Sequence, residues 1–132
     1  MARKRYWTGS HTKHRLRYHL VWLPKKRKKI LVGKIANRIQ ELFYEACGIN
    51  KWWIEEVNIK EDHIHLLIQI KPRESVAGVV KILKGGTSRK IKREFPDLEA
   101  FDWSDSLWCD GYFAESVGQV NESVIKEYIK NQ

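Results

Sequence analysis

The residues with the clearest chemical potential lie in EDHIHLLIQI, Glu61 to Ile70. Ile64, Leu66, Ile68 and Ile70 alternate, the period-two pattern of a strand with one apolar face. His63, His65, Leu67 and Gln69 fall on its other face. Residues i and i+2 on a strand project the same way, about 7 Å apart at about 3.3 Å per residue, so two imidazoles there can converge on one ion. Two ligands alone do not define a metal site, and histidines on exposed strand faces are common, so the spacing leaves both readings open. His11 and His14 lie in a basic arm, and His19 is out of phase with the apolar face of its own strand; neither position strengthens the metal reading.

A second chemical element closes the sequence, IKEYIKNQ. On a helix Tyr128 and Gln132 are i, i+4 and share a face. A phenol is a nucleophile toward phosphorus or carbon, and an amide oxygen is a hard donor. Two imidazoles and an amide oxygen, with positions left for water and phosphate, suit Mg²⁺ or Mn²⁺ better than a thiolate-preferring metal. The plainer alternative makes Tyr128 one more member of an apolar stripe with Val124 and Ile125, and Gln132 a frayed end. Spacing alone favours that alternative.

The elements that must hold these groups follow from periodicity. Residues 1–14 are polar and basic, a flexible arm or an outer strand. RLRYHLVWL (15–23) alternates Leu16, Tyr18, Leu20 and Trp22 and is stopped by Pro24. KKRKK (25–29) reads as a solvated basic loop by default and a phosphate contact at best. From Val32 to Gly48 the positions Ile35, Ile39, Leu42, Phe43 and Ala46 make a helical stripe, with Gly48 as its stop. KWWIEEVNI (51–59) is a strand, and KED (60–62) is short enough to turn it into the histidine strand. Ser75 is an N-cap for a second helix through Val76, Val79, Val80 and Leu83. KGGTSRK (84–90) interrupts that helix; it lacks the GKS/T ending of a nucleotide-binding loop. A last strand surrounds Tyr112 and Phe113, and Asn121 caps a final helix.

The first six elements have the order βαββαβ. This is an α+β fold, ferredoxin-like or RRM-like: one antiparallel sheet with helices on one face and its other face open. The helix carrying Tyr128 is an addition that the pattern does not place. The chain's 132 residues make one domain, 1–132, and 42% hydrophobic residues supply its core. Lys and Arg number 25 against 16 Asp and Glu, a formal charge of +9, which favours an anionic partner, nucleic acid before membrane surface. Cys47 and Cys109 form no CxxC pair or disulfide framework, which suits a reducing cytoplasm. No apolar run reaches transmembrane length, and MARKRYWTGS lacks the apolar core of a signal peptide.

The combination of His-hydrophobe-His on a central strand with one tyrosine on a late helix resembles the single-tyrosine HUH nucleases. Four blocks in order bring it close to the small transposases of the insertion-sequence 200/605 family: YHLVWLPKKRKKIL, VNIKEDHIHLLIQI, KILKGGTSRKIKREFP and SLWCDGYFAESVGQVNESVIKEYIKNQ. That resemblance runs from Arg15 onward. It implies His63 and His65 as metal ligands, Tyr128 as the catalytic nucleophile, and Gln132 as a third metal ligand. Gln132 is the last residue of the sequence, where a fraying end holds a ligand poorly, so the implied metal site is expected to be incomplete without DNA.

The resemblance also implies an activity. Metal-assisted attack by tyrosine cleaves single-stranded DNA at the ends of an insertion element, giving a 5′-phosphotyrosine link and a free 3′-hydroxyl; a second 3′-hydroxyl then rejoins the strand. The implied partners are single-stranded DNA with a hairpin near the element ends, and a second copy of the chain in a homodimer whose active sites are shared. Trp52 and Trp53 with the many basic residues could hold an unpaired strand by stacking and charge, although at least one of the pair suits the core better. Two other classes compete. A non-catalytic RNA-binding module uses a similar sheet, but wants stacking aromatics where this strand has histidines. A metal-dependent hydrolase using activated water would not need Tyr128.

Overall fold

The computed structural model describes residues 7–8, 13–14, 16–102, 106–117 and 122–131. A two-stranded ribbon, β1 (Trp7–Thr8) and β2 (Lys13–His14), precedes the main sheet. Then come β3 (Leu16–Trp22), α1 (Gly33–Asn50), β4 (Trp53–Lys60), β5 (His63–Ile70), α2 (Val76–Glu94), β6 (Phe113–Ser116) and α3 (Glu122–Lys130). The four long strands form one antiparallel sheet in the order β4-β5-β3-β6. This is the ferredoxin-like arrangement expected from βαββαβ, and it puts the histidine strand in the sheet interior, paired on both edges.

Alternation decides which side chains enter the core. Leu20 and Trp22 from β3 and Ile64, Leu66, Ile68 and Ile70 from β5 face α1 and α2. From α1, Ile39, Leu42, Phe43 and Cys47 recur at helical spacing and are buried against them. Trp22 stands edge-on to both Phe43 (5.7 Å between ring centroids) and Trp108 (6.0 Å), the arrangement that aromatic quadrupoles favour. Of the tryptophan pair, Trp52 is the core member, 3% exposed.

Three expectations change. First, α1 does not stop at Gly48. It runs to Asn50, and Lys51 takes the left-handed conformation (φ 60°) while its N–H donates to the Cys47 and Gly48 carbonyls. The buried Trp52 fixes the exit by donating its N–H to Cys47 O at 2.8 Å. Second, α2 is continuous through Gly85 and Gly86. Two glycines weaken a helix intrinsically, but the residues after them are tied into the core. The Thr87 hydroxyl donates to Leu83 O (2.7 Å) and accepts from Trp108 Nε1 (2.9 Å). The Ser88 hydroxyl accepts from Leu107 N at 2.8 Å. Lys84 Nζ donates to the carbonyls of Cys109 and Gly111. KGGTSRK is thus a clamp on the segment leading into β6, not a break. Ser75 is the N-cap expected, its Oγ accepting from Gly78 N. Third, KKRKK is solvated but not a plain loop: none of Lys25–Arg27 is buried, yet these residues form a 3₁₀ turn, and Arg27, Lys28 and Lys29 each lie near a carboxylate.

The Thr87–Trp108 bond gives a stability prediction. Thr87→Val keeps the side-chain shape but leaves a buried indole N–H without its acceptor. An unsatisfied buried donor costs about 1–3 kcal/mol. The denaturant midpoint is expected to fall by that equivalent with the slope unchanged; an unchanged midpoint would show that the bond contributes nothing.

Candidate active site

The face of the sheet opposite α1 and α2 holds the histidines, and strand register defines its rows. His65 pairs across with Val21, and Val21 pairs with Phe113 on its other side. Directly paired residues share a face, so His65, Val21 and Phe113 form one row, with His65 and Phe113 two strand spacings apart, about 10 Å. In the next row Leu67 pairs with His19, and His19 with Glu115. This face is not open as the bare pattern suggested: Val21, Leu23 and Gln69 on it are fully buried. Part of its cover is α3, which reaches it where the Tyr128 ring lies 5.9 Å from that of Phe113.

His63 and His65 stand side by side, ring centroids 4.9 Å apart. Each Nδ1 is engaged by a neighbour. His63 Nδ1 is 2.8 Å from Asp62 Oδ1, and His65 Nδ1 shares a hydrogen bond with His19 Nε2 at 3.2 Å. The nitrogen left for a ligand is Nε2 on both rings, and a carboxylate or ring partner on the other nitrogen is how metal-binding imidazoles are commonly oriented. Among the described residues no three His, Cys, Asp or Glu side chains form a metal-holding group, so the pair needs further donors. Gln132 lies outside the described residues, as does Asn121, the expected cap of α3.

The electrostatics favour the neutral form of His65, the form that binds a metal. Burial, then the charges of His63, His19 and Lys60, push His65 down to about 4. Burial also lowers His19, partly offset by Glu56 and Glu115. Asp62 is opposed by burial, yet its bonds to His63 and Arg27 hold it below the usual carboxylate range. Tyr128 is half-buried, and burial, with Cys109 second, raises its phenol above the ordinary value.

A pH prediction follows for the metal-free protein. In the unfolded chain the ring of His65 takes up a proton near pH 6.5, whereas in the folded protein it does so only near 4. Between those values the unfolded state binds more protons, so stability falls as pH drops through this window and is fully present above it. With chelator present, the denaturant midpoint of His65→Gln is expected to depend less steeply on pH between 6.5 and 4 than that of the parent. Parallel curves would remove His65 as a source of the dependence.

The structure brings His63 and His65 together and puts Tyr128 over the same sheet face. It adds His19, Asp62 and Arg27, which the pattern had not singled out. His19 was findable: being out of phase with its strand's apolar face is what places it on the histidine face once β3 pairs with β5. Asp62 had only its adjacency to His63. Arg27 had no sequence signal, because its contacts lie far along the chain.

Comparison with known proteins agrees with this architecture. The family model described as IS200-like transposase matches residues 12–132. The transposase for insertion sequence element IS200 of Salmonella typhimurium is 32% identical over 93% of this chain and 80% of its own. The ISDra2 transposase TnpA of Deinococcus radiodurans is 29% identical over 90% of this chain and 85% of its own. Among solved structures, a transposase crystal structure from Deinococcus radiodurans R1 superimposes with a TM-score of 0.85 at 28% identity, covering 100% of this chain and 98% of that one. A REP-associated tyrosine transposase bound to a REP hairpin shares the fold, with a TM-score of 0.56 at 10% identity over 98% of this chain and 67% of that one.

Proposed function

Because the chain belongs to the IS200-like transposase family, we propose that it cleaves and rejoins single-stranded DNA at the ends of an insertion element through Tyr128, within a single domain spanning residues 1–132. The observation that carries this reading is the shared sheet face: the His63–His65 pair sits two strands from Phe113, on which the Tyr128 ring packs.

His63 and His65, through the Nε2 atoms left free, and Gln132 would hold Mg²⁺ or Mn²⁺. The bound ion supplies Lewis-acid stabilisation of charge on the scissile phosphate. For the metal-bound form His65 donates Nδ1–H to His19, and Asp62 accepts from His63 Nδ1, so each ring keeps the tautomer that frees Nε2. Tyr128 gives up its phenol proton and its oxygen attacks phosphorus; the O3′–phosphorus bond breaks, and the departing oxygen takes a proton. A 5′-phosphotyrosine and a 3′-hydroxyl remain. One phosphodiester has replaced another, so attack by a second 3′-hydroxyl reverses the step and joins strands without nucleotide hydrolysis. A denaturing gel of protein, single-stranded DNA and Mn²⁺ tests the reading: a covalent adduct is expected, and its absence on substrates carrying element ends would refute it.

The preferred substrate is single-stranded DNA with a hairpin. The net charge of +9 and the hairpin bound by a structural relative support this. We place this action on DNA in the cytoplasm; among the described residues no helix is long and apolar enough to cross a membrane. We further propose a homodimer with shared sites, in which Phe113 of one copy receives the tyrosine helix of the other. Exchange of identical elements is a low-cost route to a dimer. Mixed His63→Ala and Tyr128→Phe chains, with subunit exchange verified by two tags, are then expected to recover cleavage that neither homodimer has. Verified exchange without recovery would place the tyrosine in cis.

A further inference from the structure

One side chain spans the two halves of the site. Arg27 Nη1 donates to the carbonyl of Ile129 at 2.9 Å, and Arg27 Nε lies 3.2 Å from Asp62 Oδ2. The other oxygen of that carboxylate, Oδ1, is 2.8 Å from His63 Nδ1. The last turn of α3, one residue beyond Tyr128, is therefore joined to His63 through two side chains.

The chemistry fits the positions. Ile129 O is among the last four carbonyls of α3, which have no partner within the helix, and a cation is favoured at that end by the helix dipole. The guanidinium is planar with several donors, so one group can serve a carbonyl and a carboxylate together; an ammonium is a point charge with no such fork. The backbone at Arg27 is also unusual. Lys26 and Arg27 both have positive φ, 56° and 51°, a region that residues other than glycine seldom adopt and that tends to persist where surroundings enforce it. The chain is bent there in the manner that brings Arg27 between Asp62 and α3.

We propose that Arg27 is a positioning residue that docks the end of the tyrosine helix and, through Asp62, sets its placement relative to His63. This rests on the reading of Tyr128 as nucleophile and His63 as metal ligand; in a dimer that exchanges the helix with its contacts kept, the Arg27 that docks a helix belongs to the copy that supplies His63. It goes beyond that reading by assigning the alignment of the two halves to one side chain from a third part of the chain.

The test uses Arg27→Gly. Glycine accepts a φ of 51° freely, so this variant removes the guanidinium while easing the backbone, and the fold is expected to survive. Hydrogen exchange in DNA-free, metal-free protein reads docking directly: amides of residues 126–131 are expected to exchange faster in Arg27→Gly, with those of β5 unchanged. Single-turnover adduct formation is expected to slow about 100-fold, as a misplacement of about 1 Å can do, while the affinity for single-stranded DNA stays within threefold. Added guanidinium ion, at concentrations below those that unfold the protein, is expected to restore part of the rate; Arg27→Lys is expected to restore little. Unchanged exchange in α3 would overturn the docking. Faster exchange with an unchanged adduct rate, or no rescue by guanidinium, would overturn the positioning role. If the parent itself forms no adduct, the tyrosine reading fails, while the exchange measurement still decides whether Arg27 docks the helix.

Discussion

Tyr128→Phe is expected to abolish the covalent protein–DNA adduct, a loss of about 1,000-fold or more in cleavage, because no other group in the proposed scheme forms the phosphotyrosine. The substitution removes one oxygen and leaves the ring that packs at 5.9 Å on Phe113. Helix α3 should therefore stay in place, and affinity for single-stranded DNA should hold within about twofold, since binding rests mainly on phosphate contacts from basic groups. The gel and a binding titration check the two halves of the statement separately. Cleavage at the parent rate by the Phe variant would mean that an activated water cuts the strand and that the tyrosine is only a packing residue.

His63→Ala and His65→Ala are the second pair of large effects. A two-imidazole site has no spare member, so each is expected to lower Mn²⁺ affinity by about 100-fold and to suppress cleavage in proportion. Calorimetry with Mn²⁺ and the adduct gel measure the two losses. Neither side chain belongs to the apolar core cluster, which faces the other way along β5, so stability above pH 6.5 should change little. Parent-like metal affinity in both variants would make the histidines ordinary residues of a polar sheet face.

Much of this arrangement was legible from periodicity. The alternation in β5 assigned its core face correctly, because a strand buried on one side records its register in every second residue. The turn between β4 and β5, the cap at Ser75 and the tyrosine helix were legible for similarly local reasons. What escaped was decided by distant contacts. Gly85 and Gly86 looked like a break, and only Trp108 and Leu107, some twenty residues on, show why Thr87 and Ser88 keep the helix intact. Gly48 looked like a stop, yet burial of Trp52 carried the chain two residues further. KKRKK is solvated as expected, but its pairings were not legible, because the carboxylates Asp62, Glu99 and Glu61 lie elsewhere along the chain. The open second face was expected because α3 could not be placed from its own sequence.

The sheet order has a consequence for how the protein comes into being. The β4–β5 hairpin closes through two residues, Glu61 and Asp62, and hairpins form on a scale of about 1–10 μs. Pairing of β3 with β5 brings His19 to His65 across 46 residues. The contact between Arg27 and Ile129 must close 102 residues, a longer excursion with a larger entropic cost. During synthesis from the N-terminus, β3, α1, β4 and β5 are all available before any residue of β6 or α3 exists. The histidine pair can therefore be assembled on a sheet of three strands while the tyrosine is still untranslated, and the edge strand β6, which supplies Phe113, is the last to join. The two imidazoles proposed as metal ligands are thus placed first in the life of the chain, and the proposed nucleophile, Tyr128, arrives only with its last helix.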